Sequence, residues 1–160
     1  MSLKTVKIIN PKNLNIIFGI SHFIKTVEDF HETLVSSVPN IKFGLAFSEA
    51  SGPRLIRTTG TSKDLEKLAA ENLLKIGAGH SFLIILENCF PINVLTALKK
   101  TDTLVSIFCA TANPVEVVIF ETKKGNSVLG VVDGGGPKGI EDKKSKKERM
   151  EFLRKIGYKL

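Results

Sequence analysis

The chain has 160 residues, 42% of them hydrophobic, and a formal net charge of +7 from 23 Lys and Arg against 16 Asp and Glu. That is the length of one domain with enough apolar material for a core, which excludes a multidomain assembly and a disordered chain. No apolar run approaches the ~18 residues of a membrane-spanning helix.

In chain order, Met1–Lys7 lacks the apolar region of a secretory signal, which predicts a cytoplasmic protein. Thr5–Ile9 alternates as a strand, Asn10–Asn13 is a turn and Asn15–Ile20 a second strand, together an opening hairpin. Thr26 is placed to cap a helix through Val35 that ends before Pro39. Ile41–Phe47 is a strand. Ser48–Thr61 is rich in Gly, Ser, Thr and Pro, with a short strand at Leu55-Ile56. A helix begins at Thr61–Asp64, runs through Leu65, Leu73 and Ile76, and is stopped by Gly77-Ala78-Gly79. His80–Glu87 carries a buried strand. Pro91 suits the first turn of a helix through Leu98. Leu104–Ala110, Val115–Thr122 and Ser127–Val132 are strands, the last two joined by a turn at Lys124-Gly125-Asn126. Asp133–Gly139 is a glycine loop, and Glu141–Ile156 a charged amphipathic helix.

Helices alternating with strands predict an α/β class protein, a single domain over residues 1–160. Its architecture reads as a mixed β-sheet in a three-layer α/β/α sandwich. Residues 138–160 carry nine basic and four acidic groups, whereas residues 1–137 carry fourteen and twelve. The basicity therefore belongs to a C-terminal helical segment, expected to pack on the body through Phe152, Leu153 and Ile156. The two cysteines, Cys89 and Cys109, lie in apolar surroundings and predict buried thiols rather than a disulfide framework or a zinc site.

No Gly-x-x-x-x-Gly-Lys-[Ser/Thr] phosphate loop is present. The candidates for phosphate handling are instead Arg54 and Arg57, in the polar stretch after the third strand, and Lys138 in the glycine loop. Glu49 can accept a ligand hydroxyl. Asp133, at a strand end, can hold a ribose hydroxyl or a metal. Asn93 and Asn113, each beside Pro and small residues, offer the donor and acceptor that read an adenine edge. Of the three histidines, His22 and His80 stand at strand ends, where a near-neutral imidazole can act as base or accept a phosphoryl group. His31 lies on a helix among acids and reads as structural. Gly77-Ala78-Gly79-His80 is similar to the Gly-Ala-Gly-Asp of ribokinase-type kinases only by coincidence, because His80 replaces the Asp and a strand, not a helix, follows it.

Several stretches carry a more specific likeness. They are Ser21–Asp29, Ile41–Gly52, Ile76–His80, Phe90–Leu95, Cys109–Pro114, Leu129–Gly134 and the ending Phe152–Lys159. Over nearly its whole length the chain resembles the small family of adenosine-specific kinases. The resemblance implies an archaeal or bacterial cytoplasmic protein of α/β fold, a homotrimer whose ligand is adenosine or AMP. It further implies phosphoryl transfer involving a histidine, with ATP and Mg²⁺ required if the protein is a kinase. The expected site puts Asn93 and Asn113 on the adenine and Glu49 or Asp133 on the ribose. Arg54, Arg57 or Lys138 would face the phosphate, and His22, ahead of His80, would be the phosphoryl acceptor or base. The alternative is a non-catalytic adenosine or AMP sensor using the same pocket. Binding to nucleic acid is not expected, since one Tyr and no Trp give no stacking platform.

Overall fold

In the computed structural model, which describes residues 1–160, the strands sort by how many faces each must bury. The elements are β1 (Ser2–Lys7), β2 (Asn15–Ser21), α1 (Thr26–Ser37), β3 (Phe43–Ser48), β4 (Ile56–Gly60), α2 (Lys63–Ile76) and β5 (Ser81–Leu86). A 3-10 turn at Pro91–Asn93 leads into α3 (Leu95–Leu98), followed by β6 (Leu104–Thr111), β7 (Val115–Glu121), β8 (Asn126–Asp133) and α4 (Lys143–Lys155). β3 and β5 are buried at every residue, so they sit inside a five-stranded sheet of order β4-β3-β5-β2-β6. β1 and β8 leave most side chains in or near solvent and flank β7 in a three-stranded sheet.

The α/β class and the three layers hold, with one change of detail. All strand pairings are antiparallel and fall into two sheets, where one mixed sheet was expected. α1 and α3 cover one face of the large sheet, setting Phe30, Leu34 and Leu98 in one core with Phe43, Leu45 and Phe82. The other face is shared by α2 and the small sheet. Leu65, Ala69, Leu73 and Ile76 of α2 and Val117 and Ile119 of β7 join Phe18, Leu83 and Ile85 there.

The expected opening hairpin does not form, because β1 pairs with β7 while β2 lies between β5 and β6. The turn itself is real: Asn13 has φ +49° and the Asn10 amide brackets Leu14 with two hydrogen bonds. It carries the chain from one sheet to the other instead of folding it back. The continuous apolar run of β2 needs cover on both faces, which β1 cannot provide.

Local signals act largely as their chemistry dictates. Gly77 ends α2 in the left-handed region at φ +63°, its N–H donating to the Leu73 carbonyl. Thr26 does not cap α1. It is fully buried and donates its hydroxyl to the His22 carbonyl, 3.0 Å away, tying the end of β2 to the helix. Asp142 caps α4, accepting from the Ser145 N–H at 2.7 Å, a bond that holds its carboxyl below the ordinary aspartate range. The expected inward packing of α4 does not occur within the chain: none of its residues is buried, and Phe152 and Ile156 are exposed. No helix is long and apolar enough to cross a membrane.

Candidate functional site

At one end of the five-stranded sheet β2 and β3 finish while β4, β5 and β6 begin. Main-chain bonds fix this row: Ser21 N–H donates to the His80 carbonyl, His80 N–H to Ser48, and His22 N–H to Thr103. Antiparallel pairing thereby brings His22, Glu49, Arg57 and His80, remote in sequence, to a single edge.

The His22 ring is exposed and its Nε2–H donates to the Asp102 carbonyl at 3.3 Å. That bond selects the tautomer that leaves the Nδ1 lone pair free. His80 is held differently. Its ring stacks on Phe47 with centroids 5.9 Å apart, and its backbone adopts φ +62°. Phe23 and Arg54 also have positive φ, at +69° and +54°. Phe23, Arg54 and His80 thus all take positive φ at one sheet end, uncommon outside glycine and for Phe and Arg above all, and strain of this kind gathers at functional sites.

Glu49 and Arg57 meet each other. The Arg57 guanidinium donates to both Glu49 oxygens at 3.3 and 3.2 Å, and the carboxylate also accepts from Leu55 N–H. Glu49 is thus a positioning group for Arg57 more than a free acceptor. The Arg57 Nε is buried with no partner in the chain, and the side chain lines the groove of Phe23 and Ile24. Beside this pair lies a cleft of about 550 Å³ lined by Glu49, Arg54, Gly79, Lys124 and Asn126. Its floor is formed by Gly77 and Gly79. A Cβ on Gly79 would approach the Ala50 side chain to 2.9 Å, so close packing of the two loops requires glycine there. Arg54 and Lys124 give the cleft two cations for an anionic ligand.

Asn93, Asn113, Asp133 and Lys138 are elsewhere. They follow the far ends of β5, β6 and β8, and β2 alone spans roughly 20 Å between the two ends. One nucleoside cannot bridge that distance. Three of the four have local work: Asn93 caps the 3-10 turn by accepting from Phe90 N–H at 2.9 Å, and Asn113 donates to Asp133 at 3.0 Å beside Gly134. Lys138 lies exposed in the loop before α4. The single-chain structure therefore divides the expected site residues into a histidine group and a far-end group. His31 is structural as read: its Nδ1 shares a 2.7 Å hydrogen bond with the Thr59 hydroxyl, and its ring meets Phe43 edge-on.

Two site features escaped sequence reasoning. Lys124 and Asn126 read only as a hairpin turn, and nothing local shows that this turn reaches the C-terminal end of α2, where the Asn126 amide donates to the Ile76 carbonyl at 2.7 Å. Phe23 is exposed next to His22, and the Ser21–Asp29 stretch that contains it was the only available pointer.

For Mg²⁺, no group of three or more His, Cys, Asp or Glu is placed to hold an ion. The carboxylates of Glu49 and Asp133 are engaged by Arg57 and Asn113. The residues do not form a protein-built magnesium site.

A sequence profile of the family described as "Adenosine specific kinase" matches residues 6–159. The structure titled "Crystal Structure of PH1918 protein from Pyrococcus horikoshii OT3" matches with a TM-score of 0.95 at 44% identity, over 99% of this chain and 98% of that one. No curated protein matches.

Proposed function

Since the chain belongs to the adenosine-specific kinase family, we propose that it binds adenosine or AMP at the histidine end of the five-stranded sheet and moves a phosphoryl group between a nucleoside triphosphate and adenosine through His22. The observation that carries this reading is the convergence there of two histidines, the Glu49–Arg57 pair and the cationic cleft of Arg54 and Lys124. Phosphoryl transfer is mainly a matter of positioning and neutralising charge, which is what such a cluster offers.

The steps balance as follows. The Nδ1 lone pair of His22 forms a bond to the γ-phosphorus of ATP while the bond to the bridging oxygen breaks and ADP leaves. The adenosine 5′ oxygen then attacks that phosphorus, the P–N bond breaks, the hydroxyl proton passes to His80, and AMP is released. Arg54 and Lys124 stabilise the charge on the moving group. The resemblance supports a homotrimer as the working form, and a requirement for ATP supports the cytoplasm as its location.

The test is AMP formation from adenosine and ATP with His22→Ala and His80→Ala. A fall of at least about a hundredfold is expected for His22→Ala, together with loss of an acid-labile, base-stable phosphate on the protein. Turnover unchanged in both variants removes the histidine mechanism. Calorimetric adenosine binding without ATP binding or turnover would identify a sensor instead.

A further inference from the structure

His22–Lys25 carry the chain from β2 into α1. His22 is exposed, yet three of its polar groups are held by elements on either side. Its N–H donates to the Thr103 carbonyl at 2.8 Å. Its ring Nε2–H donates to the Asp102 carbonyl at 3.3 Å. Its own carbonyl accepts from the Thr26 hydroxyl at 3.0 Å. The first two partners lie in the turn ahead of β6, and the third opens α1. A residue whose main chain is tied at both ends can move its side chain only by rotation about its own bonds, and the ring bond opposes that rotation.

Of these three ties, the one from Thr26 is the one that local structure does not demand. A Thr at a helix start ordinarily accepts from the N–H groups of the first turn. α1 has no such side-chain cap, and the Thr26 hydroxyl points its proton back four residues. Within a helix that bond would be local, but residue 22 lies outside α1 at the strand end, so here it bridges two elements. Phe23, between the two partners, takes φ +69°, so the segment closes the bond against its backbone preference. Burial of a hydroxyl does not compel a partner at this place. Ser21 and Thr103, on the strand and the turn that flank His22, are as deeply buried as Thr26, and their hydroxyls have no partner in the chain. No other side chain bonds the His22 main chain.

We propose that Thr26 is a positioning residue for His22: its hydroxyl fixes the His22–Phe23 peptide, which keeps the imidazole on the Asp102 carbonyl and leaves Nδ1 as the free ring nitrogen. Thr26 touches neither substrate nor reacting atom and acts only through His22. Without the hydroxyl the His22 carbonyl loses its partner and the peptide is free to rotate. The ring bond, already long at 3.3 Å, then no longer selects one tautomer. Attack on phosphorus requires the nucleophile to be aligned before the reaction, so a small misplacement is costly. The inference rests on the reading of His22 as phosphoryl acceptor, but the control of its tautomer is measurable without turnover.

The test uses the full chain with Thr26→Val, which keeps the shape and removes the hydroxyl, Thr26→Ser, which keeps the hydroxyl, and Thr26→Ala, which removes both. Nitrogen NMR of the imidazoles at mildly alkaline pH reads the tautomer, the His22 signals being those lost in His22→Ala. Wild type and Thr26→Ser are expected to hold the Nε2–H form, and Thr26→Val and Thr26→Ala a mixture. In AMP formation from adenosine and ATP, kcat falls at least about tenfold in the Val and Ala variants. KM for adenosine stays within about twofold, since binding is not what the hydroxyl serves, and Thr26→Ser recovers most of the rate. If Thr26→Val does not fold, the Ser and Ala variants decide between them. An unchanged kcat in Thr26→Val and Thr26→Ala, in a protein that His22→Ala inactivates, overturns the positioning role and leaves the phosphoryl-transfer reading standing. So does a fall in rate with the tautomer unmoved, or one that Thr26→Ser shares, because packing is then responsible. Full turnover in His22→Ala, or none in the wild type, overturns both.

Discussion

Cys109 stands at 7% exposure against Phe18, and burial, with the Asp133 charge as a smaller contribution, pushes its thiol from an ordinary 9.0 up to about 11. The raised value has a definite sign. Below pH 9 the thiol is neutral in both folded and unfolded chains. Between about pH 9 and 11 the unfolded chain ionises first, so the contribution of this residue to stability is lost as pH rises. Cys109 is therefore expected to resist iodoacetamide at pH 8 in the native protein and to react within minutes in denaturant, read by mass spectrometry. Rapid native labelling would mean that β6 opens readily. The burial of this thiol was legible from its apolar neighbours. The strained backbones of Phe23, Arg54 and His80 were not, since a positive φ in such residues leaves no mark in composition and is imposed by the strands they connect.

Elements were legible where local chemistry fixes them and obscure where a partner does. The αL glycine after α2 and the apolar runs of β3 and β5 reported themselves, but the pairing of β1 with β7, more than a hundred residues away, did not. Neither did the device joining α2 to the turn after β1. Asn72, 2% exposed, accepts from Ile9 N–H at 2.7 Å and donates to the carbonyls of Ile9 and Leu68, each at 2.9 Å. In the sequence it is only a polar residue on an amphipathic helix. Removing its amide leaves the Ile9 main chain without partners, so Asn72→Ala is expected to cost about 1–3 kcal/mol in urea denaturation. Wild-type stability in that variant would show that water replaces the bonds without penalty. The close approach of α2 to β3 makes a second demand at Gly44, where a Cβ would collide with the Leu65 and Glu66 backbone.

For the whole molecule, the decisive fact is that the expected site residues lie at two ends of one sheet. Adenine-reading amides and phosphate-binding cations were grouped by chemistry, and chemistry carries no information on which end of a strand a loop occupies. That depends on strand direction, and every pairing here is antiparallel. Successive loops alternate ends. The loops after β2 and β3 meet the one before β5, while those after β5 and β6 meet at the far side. The proposed ligand site therefore lies at the histidine end, and Asn93 and Asn113 stay with the turns they already brace. Arg54→Ala is expected to weaken AMP about tenfold or more by removing charged hydrogen bonds, with a smaller effect on adenosine, which lacks the phosphate. Asn93→Ala and Asn113→Ala should each leave adenosine affinity within a factor of about two, as surface changes away from a site do. Calorimetry on the full chain separates the cases. If Asn113→Ala abolishes adenosine binding while Arg54→Ala does not, the ligand sits at the far end, and the histidines belong to another step or to a site that a neighbouring copy completes.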